Sequence, residues 1–136
     1  MKITYIKGAI RVELNKQVVH MFLKEAHVRD FEDMSPEPTT MHRLDYEQSE
    51  QDPSLYEFRL TFMFGHFGTQ VDGVIEAAIL IQSEDGSEVD VISEIKKEEG
   101  MFAIPLYAKA SSIITKLSED RGQFPIIVPI ELWLEE

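Results

Sequence analysis

The chain has 136 residues, with 25 Asp and Glu against 13 Lys and Arg, a formal charge of −12, and no cysteine. Such a charge opposes binding to phosphate backbones and anionic lipid heads. The missing thiols exclude a disulfide framework, a thiolate nucleophile and any cysteine-ligated zinc or iron–sulfur site. The length suits one domain, expected over residues 1–136, and every apolar run falls far short of the ~20 residues that span hydrocarbon. No secretory leader is recognisable, so a cytoplasmic location is expected.

From Met1 to Leu14 apolar residues alternate, with Met1, Ile3 and Tyr5 on one parity and Ile10, Val12 and Leu14 on the other. Gly8-Ala9 sits where the parity changes and reads as a bulge or bend in one long strand. The next apolar group, Val18, Val19, Met21, Phe22 and Leu23, fits a strand or a helical turn. Periodicity is lost from Lys24 to Thr40, which ends in Pro36-Glu37-Pro38 and reads as a crossover loop that still carries Phe31 and Met34. Met41 to Tyr46 alternates weakly, and Gln48 to Ser54 reads as a turn around Asp52-Pro53.

The strongest local pattern follows. Tyr56, Phe58, Leu60, Phe62 and Phe64 occupy every second position, with Glu57, Arg59 and Thr61 between them, which predicts a strand with one aromatic face. Gly65 to Gly68 loosens this toward a hairpin, after which Val71, Gly73, Ile75, Ala77, Ile79 and Ile81 form a second one-face series. Its other face turns apolar at Ala78 and Leu80, as if half covered by a helix or a second subunit. A short helix is expected from Ser87 to about Lys97, with a strand through Val89 and Val91 as the alternative. Pro105 is expected to open a long helix running to about Glu119, its stripe formed by Leu106, Tyr107, Ala110, Ile113, Ile114 and Leu117. Pro125 and Pro129 predict an extended tail along an edge.

Little here carries chemistry. No two of His20, His27, His42 and His66 stand at the spacing of a helical metal pair, and no glycine-rich loop is followed by Lys-Ser or Lys-Thr. The carboxylates at Glu84, Asp85, Asp90, Glu98 and Glu99 lie in polar runs that suggest solvent rather than perturbed acid–base pairs. No catalytic residue, metal or cofactor is therefore assigned, and an enzyme is not expected. What stands out is apolar surface beyond what one long helix can cover. Phe31, Met34, Phe67, Leu80, Phe124 and Trp133 are the candidates for peptide binding or a subunit interface.

The segments Met41 to Tyr46, Leu55 to Phe62, Ile104 to Ile114 and Arg121 to Ile130 resemble the bacterial export chaperone SecB and its small Gram-positive relatives. Pro105, Tyr107, Arg121, Gly122, Phe124, Pro125 and Pro129 match the family's pattern in order and spacing. The resemblance implies an α+β fold, a four-stranded antiparallel sheet with one long and one short helix on one face, assembled as a homodimer or homotetramer. It also implies apolar grooves that hold unfolded or extended polypeptide without ATP. An oligomeric structural or adaptor protein that binds a folded partner is the alternative. Lys109 stands where the family helix usually carries arginine, and the family's final helix and docking tail have no counterpart, which puts coupling to export in question.

Overall fold

Alternation along Tyr56–Phe64 produces the strand on which the molecule is built, because five large side chains on one parity can be hidden only by a layer packed against that face. All five are buried, while Glu57 and Arg59 between them are exposed. In the computed structural model, which describes residues 2–7, 10–32, 36–86, 88–120 and 125–134, this strand belongs to an antiparallel sheet. The strands are β1 (Lys2–Lys7), β2 (Ile10–Asp30), β3 (Thr39–Gln48), β4 (Leu55–His66) and β5 (Thr69–Ser83), in spatial order β1-β2-β5-β4-β3. The helices α1 (Val91–Lys97), α2 (Glu99–Asp120) and α3 (Ile130–Leu134) lie on one face. Ile95, Phe102, Leu106 and Ile114 seal the aromatic side of β4 and the Val71–Ile81 side of β5.

The expected α+β layering is present, carried by the four long strands β2 to β5. β1 adds a short fifth strand that pairs only with Ile10–Asn15 of β2. The segment expected to be one bent strand is thus a hairpin in which Lys7 faces Ile10 and Lys2 faces Asn15. Gly8-Ala9, where a bulge was expected, lies outside the described residues.

β2 runs on to Asp30, through residues whose sequence reads as loop. Register shifts between Val18 and His20 and between Leu23 and Glu25 hide the periodicity of this strand. Each bulge inserts one residue and reverses the parity of all that follows, so a single strand shows three short, conflicting alternations.

α2 starts at Glu99, well before the proline expected to open it, and Pro105 lies inside the helix. Proline offers no N–H, so the Met101 carbonyl loses its usual donor four residues on. Lys16, reaching up from β2, supplies the replacement: its Nζ donates to Met101 O at 3.3 Å and to Phe102 O at 2.6 Å. The side chain is buried, which lowers its pKa to about 8. One lysine thereby fastens the helix layer to the sheet at the point where the helix ladder is broken.

α1 is shorter than expected and helical rather than strand-like. Asp90 caps it, accepting from Ser93 N at 3.2 Å and Ser93 Oγ at 2.8 Å, while Ser87 lies outside the described residues. Residues 125–129, expected to run extended along an edge, form neither strand nor helix and lie along α2. Ser118 Oγ accepts from Ile126 N at 2.8 Å, and Thr115 Oγ1 donates to Ile126 O at 2.7 Å. The chain then turns into α3 after Pro129, whose carbonyl accepts from Leu132 N at 3.1 Å.

Candidate polypeptide-binding edge

The helices cover the centre of the sheet and leave its β2 margin open. Pairing with β1 stops at Asn15, and β5 occupies the other side of β2. From Gln17 to Arg29 the outward row of backbone donors and acceptors has no strand partner among the described residues. The middle of this margin is apolar: Val19 is 55% exposed, Phe22 46% and Leu23 38%. Phe22 is opposite Glu76 on the helix-free face, while Leu23 is opposite Ile75 on the helix side. Apolar side chains therefore flank the same open edge above and below, bracketed by the two bulges.

The helix-free face beside this margin is mostly polar, and no helix covers it among the described residues, so of the two coverings expected there, a helix or a second subunit, the helix is not found. Glu76 sits at its centre, accepting from Arg59 at 3.0 Å and paired with Lys24 at 3.1 Å. The bond to Lys24 leads, with Arg59 behind it, in holding the Glu76 carboxyl below its ordinary range against the opposing effect of burial. Arg29 pairs with Asp72 at 3.2 Å, and Arg43 with Asp45 at 3.0 Å. A concavity of about 620 Å³ crosses the sheet here, with Met41, Met63 and Val74 as its apolar part and His27, Arg29 and Arg43 among its polar walls. Ala78 is buried and Leu80 half-buried within the sheet itself, against their cross-strand neighbours His20, Glu57, Gln17 and Leu55.

The six residues singled out by sequence are not brought together. Phe31 lies half-buried over the end of β4, where a Cβ on Gly65 would stand 2.7 Å from its ring, and its N–H donates to Gly68 O at 2.9 Å. Phe67 is 65% exposed at the nearby β4–β5 turn, held at a φ of 53° and stacked on His66 at 3.8 Å. Leu80 lies toward the far end of β5. Trp133 is buried, stacked on Tyr107 at 5.5 Å, with Nε1 donating to Ser111 Oγ at 2.7 Å, so it works as core. Met34 and Phe124 lie outside the described residues. Val19, Phe22 and Leu23 were visible in the sequence as an apolar group, but nothing local marked them as the part the helices fail to reach.

Acid–base groups elsewhere hold structure together. Tyr46 OH donates to Glu99 at 2.8 Å, and its pKa is pushed up to about 12 by burial first and by that carboxylate second. His42 rests its ring against Tyr107 and Trp133, both at 5.5 Å, and burial by them lowers its pKa. Among the described residues no group of three or more His, Asp or Glu is placed to hold a metal ion.

Among the solved structures that share this architecture are two of particular use. A SecB-like chaperone of Mycobacterium tuberculosis, in complex with a peptide from an antitoxin, superposes with a TM-score of 0.63 at 11% identity, over 85% of this chain and 86% of that one. The chain has a SecB-like fold. A Streptococcus agalactiae protein of unknown function superposes with a TM-score of 0.56 at 15% identity, over 87% of this chain and 98% of that one. At such identities the likeness concerns the SecB-like fold alone. No protein-family model and no curated protein matches the sequence.

Proposed function

We propose that this chain binds extended polypeptide as an ATP-independent, holdase-type chaperone, taking its client as an added strand along β2. The observation that carries this reading is the margin from Gln17 to Arg29, unpaired among the described residues and flanked on both faces by exposed Val19, Phe22 and Leu23. Strand addition supplies hydrogen bonds that do not depend on client sequence, while apolar contact above and below adds affinity without strict selection. The bulges favour short client segments, since each interrupts the regular spacing of outward groups. That a fold neighbour is a chaperone seen with a peptide supports the reading by analogy.

The purified protein should suppress aggregation of several unrelated denatured clients at near-stoichiometric ratio without nucleotide, and Phe22→Asp should abolish that effect. Inactivity of the wild-type chain toward all of them would sink the proposal. A second reading has its own support: a strand edge this long is an aggregation hazard that proteins usually close. An oligomeric structural or adaptor protein would bury the β2 margin against one folded partner, and would not bind a hydrophobic dye in its native assembly.

A further inference from the structure

The opposite margin is built differently. β3 pairs with β4 without interruption, from Thr39 opposite Gly65 to Gln48 opposite Tyr56. From Thr40 to Gln48 its outer backbone row has no strand partner among the described residues. Along it the chain reads Thr-Met-His-Arg-Leu-Asp-Tyr-Glu-Gln.

We propose that this margin is a self-association surface, on which β3 of two copies pairs antiparallel about Leu44 and continues one sheet into the next. Identical antiparallel strands in a continuous sheet are related by a two-fold axis normal to it, so each residue can oppose only residues of its own parity. Centring the axis on Leu44 places Arg43 opposite the partner's Asp45 and Asp45 opposite the partner's Arg43. His42 then faces the partner's Tyr46, Met41 the partner's Glu47, and Thr40 the partner's Gln48. Moving the axis one residue to Arg43 would oppose two guanidinium groups, and moving it to Asp45 would oppose two carboxylates. Opposite charges directly across an antiparallel pair stabilise it and like charges destabilise it, so the pattern selects one register.

Charges on an edge strand commonly serve to repel other strands. Here the register centred on Leu44 leaves no like pair to repel, which makes these residues poor guards and good selectors. Both are accessible, with the Arg43 side chain 73% and the Asp45 side chain 51% exposed, and their 3.0 Å pair within one chain would become half of a four-charge ring. The interrupted β2 margin cannot offer this regular match, so the two surfaces serve different partners and their tests fail independently.

Sedimentation velocity on the full chain tests the proposal. The wild-type chain should dimerise, and Arg43→Asp and Asp45→Arg should each weaken dimerisation by about tenfold or more, since each makes all four central charges alike. An equimolar mixture of the two variants should form a heterodimer, and the double variant R43D/D45R should dimerise as wild type does. The mixture is decisive, because the pair within each chain stays broken and only contact between copies can restore association. As the chain has no cysteine, Leu44→Cys should also give a covalent dimer on mild oxidation, while Gln17→Cys should not. A monomeric wild type across the micromolar range overturns the proposal. So do single variants that dimerise normally, a mixture that stays monomeric, or a Leu44→Cys chain that fails to cross-link.

Discussion

Along β2 the open margin is broken by two bulges and carries Val19, Phe22 and Leu23; along β3 it is unbroken and carries Arg43, Asp45 and Glu47. Both expose the same backbone chemistry, so the difference lies in what the side chains and the spacing permit. Apolar contact on an interrupted edge accepts many sequences weakly, whereas a regular edge with ordered charges accepts few. A single sheet can thus keep one promiscuous border and one selective border, provided its centre is rigid enough that occupation of one leaves the other unchanged.

That rigidity is where the largest effect should appear. Phe62 is buried on β4, which carries β3 directly and reaches β2 through β5. Phe62→Ala should cost about 3–5 kcal/mol in denaturant unfolding and impair both borders together. Loss at only one border would break the comparison at its root.

The link between Lys16 and Pro105 comes next. Lys16→Met leaves the Met101 carbonyl without a donor as long as Pro105 is present. Restoring an N–H through Pro105→Ala should recover part of the loss, so a double-mutant cycle should give a coupling of about 1–2 kcal/mol. The pH signature has a definite sign. The folded pKa, about 8, lies below the ordinary lysine value of 10.5, so the buried charge costs stability in full below pH 8. This cost is relieved as pH rises toward 10.5, and Lys16→Met should remove that rise.

Phe22→Ser should lower the affinity of an apolar extended peptide by about tenfold, with a stability change within roughly 0.5 kcal/mol, read by fluorescence anisotropy and thermal unfolding. The same change should leave association through β3 untouched, sharpening the division between borders. Glu76→Gln should have the smallest effect, under about 1 kcal/mol, because its ion pairs are partly exposed. The Glu76 pKa is depressed, so its contribution is fully present above the ordinary carboxylate range and is lost as pH falls through the folded value. Urea titrations at neutral and acid pH check both points.

β4 and β5 were readable because each keeps one period along its buried face, and their pairing needed nothing from distant sequence. β2 was not, since its two bulges scatter a single face over both parities. The start of α2 was hidden for a different reason: a proline signals a helix start only if no other donor serves the orphaned carbonyl, and the donor to Met101 O is Lys16, 85 residues away in sequence. Trp133 drew notice as a large aromatic near the end of the chain, yet α3 folds it onto Tyr107. The candidate β2 edge was legible as composition and illegible as position, because which part of a sheet escapes its helices is decided by tertiary packing alone.

The buried Lys16 amine also gives the molecule an internal clock. Acylating reagents attack the neutral amine, and this lysine combines a lowered pKa with a side chain closed to solvent. Its modification must wait for α2 to lift from the strand beneath, so the pace at which Lys16 is labelled measures how often the two layers part, with the exposed lysines as the unhindered reference.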